Sequence, residues 1–392
     1  MSMRSVWSAA VALIAALAMG AEPFDGKITF PDGALANARK VFEGTKRGTV
    51  AFLGGSITEM EGYRPMVCTN LVKRFPQTAF TFIPAGISST CSSTGAFRLQ
   101  RDILAKGPVD LLFVEFAVND DQDGHFSRET CIRGMEGILR HARLANPKID
   151  IVMTFFVNEA MLASYREGKV PLTISAHGAV AAHYGVPTVN LAKEVSEEIE
   201  SGTLTWRQFG GVHPAPRGNA ICARMIETLL DRAWSRPDTT PVTDYPLPAV
   251  MDPCSFFRGR LIDPQTAQAV SGWNWSEPPW RSIPGSKRGT FCGFPHFWTT
   301  TPGAEATVTF TGTAFGAYLT AGQDAGWLEV AIDGQPAKRF NLFHSYSAAL
   351  HYPWTVLFSE TLPDGEHRAV IRFPDIPENR GRAARLMSFT AN

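Results

Sequence analysis

The chain has 392 residues, 44% of them apolar and 19% charged, enough to bury a sizeable core and to build two domains. Lysine plus arginine equals aspartate plus glutamate at 37 each, so no net field draws the protein toward nucleic acid or an anionic membrane. The composition is that of a globular protein whose substrate is not selected by bulk charge.

The chain opens with Met-Ser-Met-Arg, continues with an apolar run from Ala9 to Met19, and reaches Ala18-Met19-Gly20 before Ala21. A charged start, a short apolar core and small residues at the cleavage positions read as a secretory signal peptide over residues 1–20, in a run too short to span a bilayer. The mature chain is expected to begin near Ala21 in a secreted or periplasmic compartment, with no later stretch apolar enough to cross a membrane. Export would place the six cysteines in an oxidising compartment. Cys68, Cys131 and Cys222 fall on expected helices among apolar neighbours, where free thiols are usual, whereas Cys91, Cys254 and Cys292 fall in loops. A Cys254–Cys292 bridge is open on this reading. No C-x-x-C pattern occurs, so neither a metal site nor a cofactor is assigned.

After a short helix over Ala34 to Glu43, strands and helices are expected to alternate. Apolar runs with β-branched members give strands at Thr49 to Leu53, Ala79 to Ile83, Asp110 to Phe116, Asp150 to Val157 and Pro187 to Asn190. Apolar residues at 3.6-residue spacing give helices at Tyr63 to Phe75, Ala96 to Ala105, Arg128 to Ala145, Ile174 to Tyr184, Leu191 to Glu200 and Ala215 to Trp234. Such alternation predicts a parallel sheet covered on both faces, an α/β/α unit over residues 21–236. Residues 237–253 are rich in proline and read as a semi-rigid linker. Beyond them, residues 254–392 carry strand patterns at Ala306 to Thr311, Ala314 to Leu319, Leu328 to Ile332, Lys338 to Leu342, Trp354 to Leu357 and Arg368 to Phe373, with Asp333-Gly334 and Asp364-Gly365 as tight-turn signals. A jelly-roll-like β-sandwich is expected there.

Ligands of an open parallel sheet bind beyond the C-terminal ends of its strands. The first long strand ends in Gly54-Gly55-Ser56-Ile57-Thr58, which delivers Ser56 close to a helix start, where free N–H groups favour developing negative charge. The next strand end presents Gly86, whose backbone N–H can approach a bound oxygen, and the third presents Asn119, a neutral amide donor. Before the closing helix, Gly210-Gly211-Val212-His213-Pro214 supplies an imidazole. A serine hydroxyl attacks an ester carbonyl only if a base removes its proton, which is the part open to His213. The resulting oxyanion needs preset donors, and the N–H groups of Ser56 and Gly86 with the Asn119 side chain are the candidates.

Taken in order, Gly54-Gly55-Ser56-Ile57-Thr58, Gly86, Val118-Asn119-Asp120 and Val212-His213-Pro214 resemble the four blocks of the SGNH (GDSL-like) hydrolases over roughly Thr49 to Trp234. The resemblance implies a flavodoxin-like three-layer α/β/α fold and esterase or acetylesterase activity, often on carbohydrates. It also implies Ser56 as nucleophile, Ser56, Gly86 and Asn119 as the oxyanion hole, and His213 as base. Two positions depart from the pattern. Ala117 stands where a glycine is frequent, and Gly210 stands where an aspartate usually orients the histidine. Either a main-chain carbonyl holds the far ring nitrogen of His213, giving a Ser–His dyad, or a carboxylate such as Glu59, Asp120, Asp121 or Asp123 reaches it. The dyad is the expectation.

Glu115, a carboxylate inside a strand, is expected to tie down a neighbouring loop. His125, His141, His177 and His183 show no ligand spacing with a carboxylate partner. The loops Gln323 to Gly326 and His344 to Tyr352 either close over the Ser56 site or bind glycan on their own. The first functional reading is an exported serine esterase that takes an acylated, foremost acetylated, carbohydrate or polysaccharide. The alternatives are a glycan-binding protein whose hydrolase domain is impaired at Gly210, and an O-acyltransferase acting on sugars.

Overall fold

A parallel sheet of five strands with one antiparallel edge organises the first half of the computed structural model, which describes residues 26–235 and 241–392. The expected signal peptide at residues 1–20 lies outside the described residues. The strands are β1 (Ile28–Thr29), β2 (Arg47–Gly54), β3 (Ala79–Gly86), β4 (Leu111–Glu115), β5 (Asp150–Phe155) and β6 (Thr188–Asn190), in spatial order β1-β6-β5-β4-β2-β3. Every residue of β4 and β5 is buried, as a strand covered on both faces requires. The short β1 pairs antiparallel with β6, an edge that the apolar pattern did not announce.

Eleven α-helices accompany this sheet among the described residues: α1 (Ala36–Thr45), α2 (Ser56–Glu59), α3 (Tyr63–Arg74), α4 (Ser92–Asp102), α5 (Ala117–Gln122), α6 (Arg128–Ala145), α7 (Glu159–Arg166), α8 (Leu172–His183), α9 (Leu191–Glu200), α10 (Trp206–Phe209) and α11 (Pro216–Trp234). Helices α1, α3 and α9 pack with α11, while α4 packs with α6 and both α5 and α6 pack with α8, forming the two outer layers of an α/β/α fold. Helices α6 and α9 have the expected bounds. Helix α4 begins four residues before the expected Ala96, because Ser92, Ser93 and Thr94 are buried rather than solvated. Helix α7 was not expected; it starts where the Asn158 side chain accepts the Met161 N–H at 2.9 Å.

Strand β3 lies on one side of β2, and β4, β5 and β6 lie on the other. The crossovers therefore diverge at the C-terminal end of β2, leaving a crevice at the position of Ser56.

The proline-rich stretch after α11 has no regular structure where it is described, yet it is not a free connector. Asn37 Nδ2 donates to the Thr243 carbonyl at 2.8 Å, Tyr245 OH to Asp150, and Arg140 to the Pro248 carbonyl at 2.6 Å. The Met251 N–H reaches Glu136 Oε1 at 2.7 Å, and Phe256 sits in the core of the α/β unit. Residues 241–256 thus strap along the α/β layers.

The remaining strands among the described residues are β7 (Arg260–Ile262), β8 (Gln268–Ser271), β9 (Asn274–Ser276), β10 (His296–Thr299), β11 (Ala304–Gly312), β12 (Phe315–Ala321), β13 (Trp327–Ile332), β14 (Lys338–Asn341), β15 (Tyr352–Ser359), β16 (Gly365–Phe373) and β17 (Ala384–Ala391). One antiparallel sheet runs β15-β12-β17-β10-β9 with β7 paired to β17, and the other runs β14-β13-β16-β11-β8. Val308, Phe310, Phe315, Leu319, Leu328, Ile371 and Phe389 belong to the core cluster between them, which makes a β-sandwich. At the expected Asp333-Gly334 turn both residues have positive φ, 52° and 72°, and Gln335 N–H closes onto the Ile332 carbonyl at 3.0 Å. The central strand β17 escaped the sequence reading, since Arg385 interrupts its apolar pattern and is buried only because Asp324 pairs with it.

The sandwich docks on α4 through β7 and β15, and Thr94 Oγ1 meets Thr355 Oγ1 at 2.8 Å. All six cysteines are free, so the Cys254–Cys292 bridge is not formed. Cys254 lies in the strap on the α/β layers, whereas Cys292 lies in a loop of the sandwich beside Glu277. No helix among the described residues is long and apolar enough to cross a membrane.

Candidate active site

Strand β2 ends in two glycines that make room for side chains arriving from β4 and α5. A Cβ on Gly54 would lie 2.4 Å from Glu115 Oε1, and a Cβ on Gly55 would lie 2.1 Å from Asn119 Oδ1. Neither glycine has the left-handed backbone that a sharp turn would require. The Gly54 carbonyl accepts from Arg98 Nη2 at 2.9 Å, and the Gly55 N–H donates to Glu115 Oε1 at 3.0 Å. Glu115 also accepts from Thr58 Oγ1 at 2.8 Å, so it holds residues on both sides of Ser56, in line with its expected tethering role. Burial drives its carboxyl up to about 7, against the hydrogen bonds from Thr58 and Gly55. Ser56 is the first residue of α2, where the N–H has no intrahelical partner.

Across the crevice, His213 Nε2 lies 2.8 Å from Ser56 Oγ, although 157 residues separate them in sequence. The two residues share one cavity wall. The loop holding His213 leaves α10 through Gly210 and Gly211, with φ of 109° and 82°. A Cβ at Gly210 would stand 2.0 Å from the Ala215 nitrogen, whose N–H donates to the Phe209 carbonyl at 2.8 Å. An aspartate at this position is therefore excluded by the backbone itself.

Nothing replaces it at the ring. Among the described residues the Ser56 hydroxyl is the one hydrogen-bond partner of the His213 imidazole, and neither a main-chain carbonyl nor a carboxylate binds Nδ1. The four carboxylates considered from sequence are engaged elsewhere. Glu59 accepts from Ser88, Asp120 from Ser92 and His177, Asp121 from Asn158, and Asp123 from Asn119.

Of the expected amide donors Ser56 lines the cavity, whereas Gly86 and Asn119 do not. Gly86 does not line the cavity; a Cβ there would meet the Glu59 nitrogen at 2.2 Å, so this glycine lets α2 pass close over β3. Ser88 and Ser89, which follow it, do line the cavity. Ser89 has a left-handed φ of 70°, and its N–H has no acceptor among the described residues. Asn119 is buried beside Gly55, with Nδ2 donating to Asp123 Oδ2 at 2.6 Å.

The cavity holds about 510 Å³, a size typical of small-molecule sites. Ser56, Ser88, Ser89 and His213 form one side, and Arg288, Tyr346, Leu350 and Tyr352 of the sandwich form another. The loop His344 to Tyr352 thus closes over the Ser56 site, one of the two outcomes left open from sequence. Arg288 had no sequence signal; it donates to the Ser88 carbonyl at 3.1 Å and to Ser89 Oγ at 3.0 Å. His344 Nε2 lies 2.9 Å from the Asp123 carbonyl, which links the sandwich to the residue that holds Asn119.

Asp120, Cys131 and His177 form a buried group whose ligand-type atoms lie within 4.8 Å of one another. Asp120 Oδ2 accepts from Ser92 Oγ at 2.6 Å and meets His177 Nε2 at 2.9 Å, so this group is a hydrogen-bonded network joining α4, α5 and α8. His177 is thus a structural histidine, and its carboxylate partner Asp120, 57 residues away, gave no spacing signal in the sequence.

Residues 52–221 match the model of the GDSL-like lipase/acylhydrolase family. No curated protein sequence matches the chain. Among solved structures, the chain is similar to a two-domain esterase, CEX, active on acetylated mannans and co-crystallised with mannopentaose, with a TM-score of 0.73 at 24% identity over 92% of this chain and 95% of that one. A second structure of a two-domain CEX esterase gives the same TM-score and identity over 92% and 96%. Axe2, an acetylxylan esterase from Geobacillus stearothermophilus, matches 47% of this chain and 94% of its own length at 19% identity, with a TM-score of 0.37. The α/β/α unit with its attached sandwich is thus a fold already seen among esterases. Residues 52–221 thus form a GDSL-like lipase/acylhydrolase domain, the domain of a carboxylic ester hydrolase.

Proposed function

We propose that this protein is an exported serine esterase that removes O-acyl groups, foremost O-acetyl, from a polysaccharide. The observation that carries the reading is the 2.8 Å approach of Ser56 Oγ and His213 Nε2 at a cavity of about 510 Å³. The carbohydrate part draws support from the acetylated mannans on which the similar two-domain esterase acts. The leader-like residues 1–20 support export.

In this reading Ser56 Oγ forms a bond to the acyl carbon while its proton passes to His213 Nε2. The carbonyl oxygen becomes an oxyanion, held by the N–H groups of Ser56 and Ser89 and by the Asn119 amide, each contributing about 3 kcal/mol. Ser89 takes the part first assigned to Gly86, because its N–H is unpartnered and Gly86 lies under α2. The C–O bond to the sugar then breaks and His213 returns the proton to the leaving alkoxide. Water, deprotonated by the same imidazole, releases acetate from the serine ester. The imidazolium forms without a carboxylate at Nδ1, which makes this a Ser–His dyad.

Acetate release from acetylated mannan and acetylated xylan, measured with wild type, Ser56→Ala and His213→Ala, tests the proposal. Each variant is expected to lose on the order of 10³-fold or more in kcat. Wild-type rates in folded Ser56→Ala protein would sink the reading.

A further inference from the structure

The sandwich carries a second cavity, of about 330 Å³, between the edge of β13–β14 and the segment before β17. Its walls include Trp327, Phe343, Asn341, Glu378 and Arg382. Trp327 is only half-buried and Phe343 is 36% exposed, and neither belongs to the sandwich core or to an aromatic pair. Two large rings on the wall of one open cavity form an apolar patch of the kind that marks a binding site.

Around the rings the polar groups are fixed but unsaturated. Asn379 brackets the Trp327 backbone, accepting its N–H at 2.7 Å and donating to its carbonyl at 3.1 Å. Asn341 Oδ1 accepts the Phe343 N–H at 3.0 Å, leaving its Nδ2 free of partners among the described residues. One nitrogen of Arg382 donates to the Gln323 carbonyl at 2.7 Å, which holds the guanidinium in place with other N–H groups open. The Trp327 indole N–H and the Glu378 carboxylate also have no partner among the described residues. A rigid floor, two aromatic faces, several donors and one acceptor, with opposed charges that cancel, are complementary to a neutral pyranose, which offers C–H faces for stacking and hydroxyls for hydrogen bonds.

We propose that this cavity is a carbohydrate-binding site, distinct from the catalytic one, that takes a pyranose unit of a neutral polysaccharide. Phe343 and Tyr346 stand three residues apart in one segment, the first lining this cavity and the second lining the catalytic cavity. A chain held at Trp327 is thereby kept close to Ser56. The choice of polysaccharide probe rests on the esterase reading above; the site itself does not.

The test measures affinity for deacetylated mannan, xylan and β-glucan by gel-retardation electrophoresis. The protein is the full chain in the Ser56→Ala background, which carries no hydrolysis. Trp327→Ala is expected to weaken binding to at least one of these polymers about tenfold, and Glu378→Gln with Arg382→Gln, both at exposed positions, should lower it in the same direction. In the Ser56-containing chain, Trp327→Ala should leave hydrolysis of 4-nitrophenyl acetate within about twofold of wild type, which also reports the fold. Unchanged affinity in all these variants, or no binding of any of the polymers by the parent, overturns the site. Polymer binding that depends on Trp327 in a protein releasing no acetate would uphold the site and sink the esterase reading instead.

Discussion

Arg98 Nη2 and Glu115 Oε1 hold opposite ends of a single peptide, the first donating to the Gly54 carbonyl at 2.9 Å and the second accepting the Gly55 N–H at 3.0 Å. Both side chains are buried, and the peptide they grip is the one that precedes Ser56. Arg98 also donates to the Ala85 carbonyl at 2.7 Å, so it joins the ends of β2 and β3. The position of Ser56 is thus set by charged groups from α4 and β4 as well as by its own strand.

Loosening that grip should cost rate more than binding. Arg98→Met is expected to lower kcat for a small acetyl ester about 10²-fold with KM little changed, because a shift of about 1 Å at the nucleophile suffices for such a loss. Glu115→Gln keeps an acceptor for the Gly55 N–H and should lose less than about tenfold, so it separates geometry from charge. Steady-state kinetics on both variants, with circular dichroism to verify folding, decide the matter. Wild-type kcat in a folded Arg98→Met enzyme would remove the clamp from catalysis.

Stability should fall as pH rises across the weakly acid range. Burial drives the carboxyls of Glu115 and Asp150 each up to about 7, well above their ordinary range. Between about pH 4 and pH 7 the unfolded chain has released protons that the folded chain still holds, so unfolding is favoured progressively through that window. Each group accounts for on the order of 3 to 4 kcal/mol at most. Thermal unfolding at pH 5 and pH 8 should show a larger decrease in wild type than in Glu115→Gln. Equal decreases in the two proteins would contradict the assignment to Glu115.

Restoring the missing aspartate by Gly210→Asp should damage the enzyme. The backbone at φ 109° and the 2.0 Å approach to the Ala215 nitrogen penalise any side chain at this position. A loss of about 3 kcal/mol or more in stability, with no gain in kcat, is expected. A more active Gly210→Asp enzyme would show that the loop rearranges to accept the acid.

Arg288→Ala should lower kcat for small acetyl esters about tenfold, since it frees the Ser88 carbonyl and the Ser89 hydroxyl and with them the unpartnered Ser89 N–H. Because the small ester makes no sugar contact, a loss seen only with polysaccharide would reassign Arg288 to substrate binding.

The strand before Ser56, the helices Arg128–Ala145 and Leu191–Glu200, and the order of the blocks holding Ser56, Asn119 and His213 were determined by the sequence itself. Each is a local pattern, in which apolar spacing or a short run of residues dictates the conformation. The pairing of Ser56 with His213 was inferable from the order of the blocks, since Ser56 follows a strand of the sheet whereas His213 stands in the loop between α10 and α11.

Tertiary structure decided what covers each element and therefore what each residue is for. Gly54 and Gly55 were visible as glycines, but the reason for them is Glu115 and Asn119, about sixty residues away. Ser92, Ser93 and Thr94 look solvated in sequence and are buried, because Asp120 and Thr355 reach them from other elements. Ser89 and Arg288, 199 residues apart, meet at the cavity without any periodic signal. Local spacing reports which face of an element is apolar, whereas the partner of a polar group is chosen by packing between distant segments, so the site's framework was local and its hydrogen-bond partners were set only by the fold.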